Sequence, residues 1–277
     1  MDVRLIATDV DGTLLRSDHV ISARNREAFA AARASGIDVL AISGRQPYSI
    51  GAIVAASPLE GFVVGSNGSV AVDLATRSVL FEELLDLEAQ RTLALAILER
   101  FPDAHVVSVR DAGNSYVAQH GYTGDQDPGH EAALWPVSHR FADLDEVLSE
   151  PSVKLVIKHP DRSLAPEQLL AVARDLAVPG THPTTSGAPF LEVGRAGVSK
   201  ATALARFAAD RGIEASQVVT FGDNLNDVEM LRWAGLGVAM GNAVPGAIDA
   251  ADEVTLHHDA DGVAVVIERL LGITPGS

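Results

Sequence analysis

The stretch Leu5-Ile6-Ala7-Thr8-Asp9-Val10-Asp11-Gly12-Thr13-Leu14-Leu15 decides how the rest of the chain is read. An apolar run that ends in two carboxylates describes a buried strand meeting a loop. In an open α/β sheet the carboxyl end of a strand faces the crevice where ligands bind, and a strand tip holds a side chain more rigidly than a long loop. Gly12 permits a tight turn, and Thr13 offers a hydroxyl and a backbone N–H beside the acids. Two acids, a turn and donors suit a cation or a phosphate. The plainer reading of the same residues is an acidic β-turn or a helix N-cap.

Outward from this stretch, the first 80 residues alternate strand and helix. Arg4 to Thr8 reads as a strand, Ala23 to Ala34 as a helix closed by Gly36, and Ile37 to Ile42 as a second strand. A helix near Tyr48 to Ala56 follows, then the strand Phe62-Val63-Val64. Asn67-Gly68 with Val70 to Val72 and Val79 to Phe81 reads as a hairpin. The tail repeats the rhythm: a helix at Lys200 to Arg211, the strand Val218 to Phe221, and a helix around Asp227 to Ala234. A short strand at Gly237 to Ala239, a helix from Pro245 and a last helix at Val263 to Leu271 complete it. The middle carries a helix at Leu87 to Phe101, strands near His105 to Val109, Tyr116 to Ala118 and Leu155 to Ile157, and a helix near Pro166 to Ala177. The expectation is an α/β parallel-sheet core over residues 1–84 and 190–277, with an α+β domain inserted at 85–189.

With 277 residues, 47% of them hydrophobic, the chain can bury a large core. It contains no cysteine, which excludes disulfides and thiolate metal sites. No basic n-region precedes a long apolar stretch, so a soluble cytoplasmic protein is expected. The net charge of −16 argues against nucleic-acid and anionic-membrane partners. A phosphorylated small molecule would need a local reversal of sign, from a divalent cation and a few placed Lys or Arg residues.

Three more polar clusters fall where predicted strands end or a helix begins. Ser43-Gly44-Arg45 follows the second strand, Lys200 opens a helix after Gly197-Val198-Ser199, and Gly222-Asp223-Asn224-Leu225-Asn226-Asp227 follows the strand ending at Phe221. Each has a bland counterpart: a turn, a solvated helix lysine, a polar cap. Their joint occurrence on corresponding strand edges is much harder to obtain by accident.

Together, D-x-D-G-T-L-L, S-G-R, G-x-S-K and G-D-x-x-N-D resemble the four motifs of the haloacid dehalogenase superfamily of phosphohydrolases, and specifically its Cof-type branch. Thirty-three residues lie between Asp9 and Ser43 and 156 between Ser43 and Lys200, which puts the insertion where this branch carries its large α/β cap. The resemblance implies that Asp9 is the nucleophile forming an aspartyl-phosphate and that Asp11 is the general acid and base. It implies that Lys200 neutralises Asp9 and a phosphoryl oxygen, and that Ser43 donates to another. Gly12, Gly44 and Asn226 would complete the phosphoryl cradle, and Arg45 and Asn67 would face substrate. Mg²⁺ would be held by Asp9, the Asp11 carbonyl and Asp223, with Asp227 as ligand or support.

The expected function is a Mg²⁺-dependent phosphatase acting on a small phosphorylated metabolite in a cleft closed by the inserted domain. The rivals are a phosphomutase using the same aspartyl-phosphate and a non-catalytic phosphometabolite sensor. Oligomeric state is left open, a homo-oligomer included. Gly194 to Lys200 lacks the Gly-Lys-Ser/Thr order of a nucleotide P-loop, and Gly235-Leu236-Gly237 with Gly241 follows a helix, so both read as packing glycines. His257-His258 shows no metal-ligand spacing, Asp259 to Gly262 resembles half of a calcium loop with no Glu to close it and reads as a helix cap, and Trp135 reads as core.

Overall fold

A computed structural model describes residues 2–122, 138–161 and 163–273 of the chain. In chain order, strand β1 (Leu5–Thr8) leads through helix α1 (Ala23–Ala34) to β2 (Asp38–Ile42), then through α2 (Pro47–Val54) to β3 (Phe62–Gly65), β4 (Val70–Asp73) and β5 (Ser78–Glu82). Next come α3 (Leu87–Arg100), β6 (His105–Arg110), β7 (Ser115–Gln119), β8 (Ser138–Ala142), α4 (Leu144–Val147), β9 (Lys154–Lys158), α5 (Pro166–Leu176), β10 (Thr181–Thr184) and β11 (Leu191–Arg195). The chain closes with α6 (Lys200–Ala209), β12 (Val218–Gly222), α7 (Val228–Trp233), β13 (Leu236–Ala239), α8 (Pro245–Ile248), β14 (Glu253–Val254) and α9 (Gly262–Leu271).

The first sheet runs β14-β13-β12-β1-β2-β3-β4-β5 and is parallel from β14 to β3, with β4 and β5 antiparallel at one end. β1 lies in its middle, pairing Thr8 with Phe221 on one side and with Ala41 on the other. Alternation along the strands feeds two cores. Leu5, Ala7, Leu40 and Ile42 pack towards Leu204 and Phe207 of α6. Ile6, Ala41 and Val219 pack towards Phe29 of α1 and Val263 and Ile267 of α9. Helices on both faces are what allow these strands to be almost wholly apolar.

The second sheet, β10-β11-β9-β6-β7-β8, is antiparallel except where β7 meets β8. One face is covered by α3 and α5 through Leu93, Ile97, Leu169 and Leu170. The other face, with Val107, Val109 and Val156, joins the core that starts under β1, and the Tyr48 and Tyr116 hydroxyls meet across that junction at 3.0 Å.

This sheet takes in Leu191–Arg195, so the chain returns to the first sheet after Arg195 rather than at residue 190 as expected. A buried glutamate, Glu192, near the start of β11 hides its strand pattern. β8 and β10, also unforeseen, are edge strands: one is mostly exposed and the other contains Pro183. Trp135 and most of the Gly121 to Gly129 stretch lie outside the described residues. Among the described residues no helix is long and apolar enough to cross a membrane.

Candidate active site

β1 delivers Asp9 to the middle of the first sheet's carboxyl edge. The backbone is still in register there, because Asp9 N–H donates to the Phe221 carbonyl at 3.0 Å. Beyond it the chain wraps into a turn closed by Leu15 N–H on the Val10 carbonyl. Gly12 occupies the left-handed region at φ +75°, and a Cβ there would run into the Asp223 carboxylate. Glycine is therefore required both by conformation and by the approach of the next strand's loop.

Lys200 is the first residue of α6, whose N-terminus is capped by Ser199 and Thr202 donating to one another. A cation at a helix N-terminus is opposed by the helix dipole. Here it is fully buried and held by two carboxylates, with Nζ 2.6 Å from Asp9 Oδ1 and 2.6 Å from Asp227 Oδ1. Burial pulls the ammonium towards neutrality, but Asp227 and Asp9 outweigh it and raise its pKa above the ordinary lysine range.

Asp227 is itself immobilised, its Oδ2 accepting the N–H groups of Asp223 and Asn224 at 3.0 Å each. Asp223 follows β12 and accepts the Thr13 hydroxyl on Oδ1 at 3.0 Å. Burial first, then the charge of Asp227, pushes the Asp223 carboxyl up to about 6. Burial also raises Asp9 well above the carboxylate range; Lys200 opposes this, while Asp227, Asp223 and Asp11 add to it.

Asp11, Ser43, Gly44, Arg45, Asn67 and Asn226 form a second tier at the same edge. The Arg45 guanidinium grips both oxygens of Asp11, Nε to Oδ2 and Nη2 to Oδ1, each at 2.7 Å. Ser43 Oγ accepts the Arg45 N–H at 3.1 Å. Asn67 donates its N–H to the Ser43 carbonyl, and its Oδ1 accepts from Asn226 Nδ2 at 2.9 Å. All the residues proposed from sequence are thus brought to one edge, in two linked tiers.

The carboxylates of Asp9, Asp223 and Asp227 each offer an oxygen, all within 4.8 Å of one another. Three buried acids face one buried ammonium, and two of those acids are pushed towards the neutral form. A hard divalent cation fits such an all-oxygen set, because it supplies the missing positive charge. Asp227 has less to give than the other two, since Lys200 and two N–H groups already engage its oxygens. His257, His258 and Asp259, set aside on spacing, also converge within 4.8 Å. There the groups are occupied: His258 Nδ1 by the Leu15 carbonyl, His257 Nδ1 by Asp259 N–H, and the Asp259 carboxylate by Ser17.

Sequence reasoning missed Asn242, whose Nδ2 donates to the Gly12 carbonyl at 2.8 Å and whose Oδ1 accepts the His258 N–H. It stands just beyond β13, so the rule that found the other clusters applied to it as well. Gly241 beside it made the segment read as a bare turn.

The chain matches the haloacid dehalogenase-like hydrolase family over residues 6–267. It is 28% identical over 275 residues to the 5-amino-6-(5-phospho-D-ribitylamino)uracil phosphatase YcsE of Bacillus subtilis (strain 168), covering 97% of this chain and 96% of that one. It is 27% identical over 274 residues to the pyridoxal phosphate phosphatase YbhA of Escherichia coli (strain K12), covering 96% and 98%. Among solved structures, a haloacid dehalogenase-like hydrolase from Bacteroides thetaiotaomicron superposes with a TM-score of 0.74 at 27% identity, covering 97% of this chain and 99% of that one. The chain belongs to the haloacid dehalogenase-like hydrolases of the Cof type.

Proposed function

We propose that this chain is a Mg²⁺-dependent phosphatase that hydrolyses a small phosphorylated metabolite, such as a sugar phosphate, through an aspartyl-phosphate on Asp9. The observation that carries the reading is the state of Asp9: a buried carboxylate at the carboxyl end of β1 with one oxygen pinned by Lys200. YcsE and YbhA, which differ in the phosphate monoester each is named for, support the reaction class and leave the substrate to the second sheet.

In this reading Asp9 attacks phosphorus, an Asp9–phosphorus bond forms, and the bond to the leaving oxygen breaks. The departing oxygen takes its proton from Asp11. Asp11, now a carboxylate, draws a proton from water, the water oxygen bonds to phosphorus, and Asp9 is released with inorganic phosphate. Lys200 holds Asp9 in line and neutralises charge on a phosphoryl oxygen. Ser43 accepts the Arg45 N–H and so has its own O–H to donate to another. Arg45 engages both Asp11 oxygens, so a phosphoryl group that draws the guanidinium onto itself also frees Asp11 for proton transfer. Asp9, the Asp11 carbonyl and Asp223 are the residues that would hold Mg²⁺, with Asp227 orienting Lys200 and the Asp223 loop. The bound ion would supply cancellation of the repulsion between an anionic nucleophile and an anionic substrate.

The test is phosphate release from a panel of sugar phosphates, nucleotides and cofactor phosphates with Mg²⁺, wild type beside Asp9→Asn. Release that vanishes in the variant is expected. Equal release from both proteins would remove the covalent mechanism.

A further inference from the structure

A second buried lysine stands at the junction of the two sheets and takes no part in the chemistry above. Lys154 opens β9 and Glu192 lies on β11, the strand beside it. Their side chains are 6% and 2% exposed and form an ion pair. Lys154 Nζ also reaches across to the first sheet's edge and donates to the Gly44 carbonyl at 2.7 Å. Among the described residues, Glu192 Oε2 is buried with no hydrogen-bond partner.

Removing two charges from water costs more than their attraction returns unless every remaining lone pair is satisfied, and apolar side chains of similar size are often as stable. A pair with a bare oxygen is therefore a poor source of stability. Among the described residues, the hydrogen bond that leaves its own sheet is the informative one. The Gly44 carbonyl and the Arg45 N–H belong to one planar peptide. Lys154 takes the oxygen of that peptide, and Ser43 Oγ takes its N–H. The next side chain, Arg45, grips Asp11. The turn has little room to settle elsewhere, since a Cβ on Gly44 would lie 3.1 Å from Asn67 Oδ1 and 3.3 Å from Ser186.

We propose that Lys154, held by Glu192, is a positioning residue of the second sheet that fixes the Gly44–Arg45 peptide and so aims Ser43 and Arg45 at the phosphoryl group. The proposal rests on the reading of Ser43 and Arg45 as phosphoryl-binding groups. It makes the phosphate site incomplete unless the second sheet is docked on the first.

Lys154→Met alone strands a buried carboxylate, so the full chain is tested as the double variant Lys154→Met/Glu192→Leu, with Glu192→Gln as a milder change that keeps shape and an acceptor. Three readouts are taken: the melting temperature, amide hydrogen exchange in the peptide containing Ser43 to Gln46, and inhibition by inorganic phosphate alongside kcat and KM. The double variant should melt within a few degrees of wild type and exchange about tenfold faster at Arg45, with β6 unchanged. KM and the phosphate inhibition constant should rise about tenfold, more than kcat falls. Glu192→Gln should shift the same quantities less, and it carries the test if the double variant does not fold. Unchanged exchange at Ser43 to Gln46, or a lowered melting temperature with kcat and KM intact, would overturn the proposal. If the wild type releases phosphate from no substrate, the phosphatase reading fails while the exchange result still decides whether Lys154 holds this turn.

Discussion

Lys200 and Lys154 are both buried, and the two neighbourhoods neutralise them differently. Lys200 is shared by two carboxylates, one of which, Asp227, is pinned by two backbone N–H groups. Removing either acid leaves the other in place. Lys154 has one carboxylate and one carbonyl, and the carbonyl belongs to the opposite sheet. The first arrangement is redundant and lies at the edge of one sheet. The second holds only while two sheets stay together, so the same residue type acts as a fixture in one place and a coupling in the other.

The largest effect expected from this contrast is at Asp9. Asp9→Asn leaves Lys200 on Asp227, so the protein should fold with a wild-type circular dichroism spectrum while turnover drops by about 10⁴-fold or more. Loss of folding instead would mean that the Lys200 cluster is not redundant. Lys200→Met should be worse for stability than for shape: it strands buried carboxylates, at a cost of about 3–5 kcal/mol. A melting temperature lower by about 10 °C in metal-free buffer is expected, partly recovered on adding Mg²⁺. The contrast fails if Lys200→Met melts like the wild type. Arg45→Gln keeps a donor near Asp11 but loses the two-pronged grip, and kcat/KM should fall by about 10- to 100-fold with little change in melting.

How much of this could be read from sequence follows from the same contrast. Strands β1, β2 and β12 of the first sheet each end in a motif, so Asp9, Ser43 and Asp223 were legible as neighbours from the sequence, while Lys200, which opens α6 after a strand of the second sheet, joined them through the resemblance. Their partners were not. Nothing in the sequence says that Arg45 reaches Asp11, or that Asp227 spends its oxygens on Lys200 and its own loop, because those facts depend on rotamers and on how loops from β1, β2 and β12 close together. The second sheet was harder still. Three of its six strands show the apolar pattern; β8 and β10 are edges, and β11 conceals a charge in its interior. That charge, Glu192, is the partner of Lys154, so the residue that obscured the strand is the one that gives the strand its part in the site.

The smallest effect expected concerns Asp223, where burial and the charge of Asp227 hold the carboxyl at about 6 against an ordinary value of 3.8. Between those values the folded protein binds a proton that the unfolded chain does not. The stability this proton supplies is fully present below about pH 4, declines as pH rises, and is gone above about pH 6. Asp223→Asn keeps an acceptor for the Thr13 hydroxyl and removes the titration. In metal-free buffer the variant and the wild type should therefore melt close together at pH 4, with the variant a few degrees higher by pH 7. Added Mg²⁺ should reverse that order at pH 7, because the cation stabilises the ionised carboxylate and has less to hold in the variant. A difference in melting that stays constant from pH 4 to pH 7 would show that Asp223 feels neither its burial nor Asp227. A difference that Mg²⁺ leaves untouched would remove Asp223 from the metal site while leaving the Lys200 cluster as described.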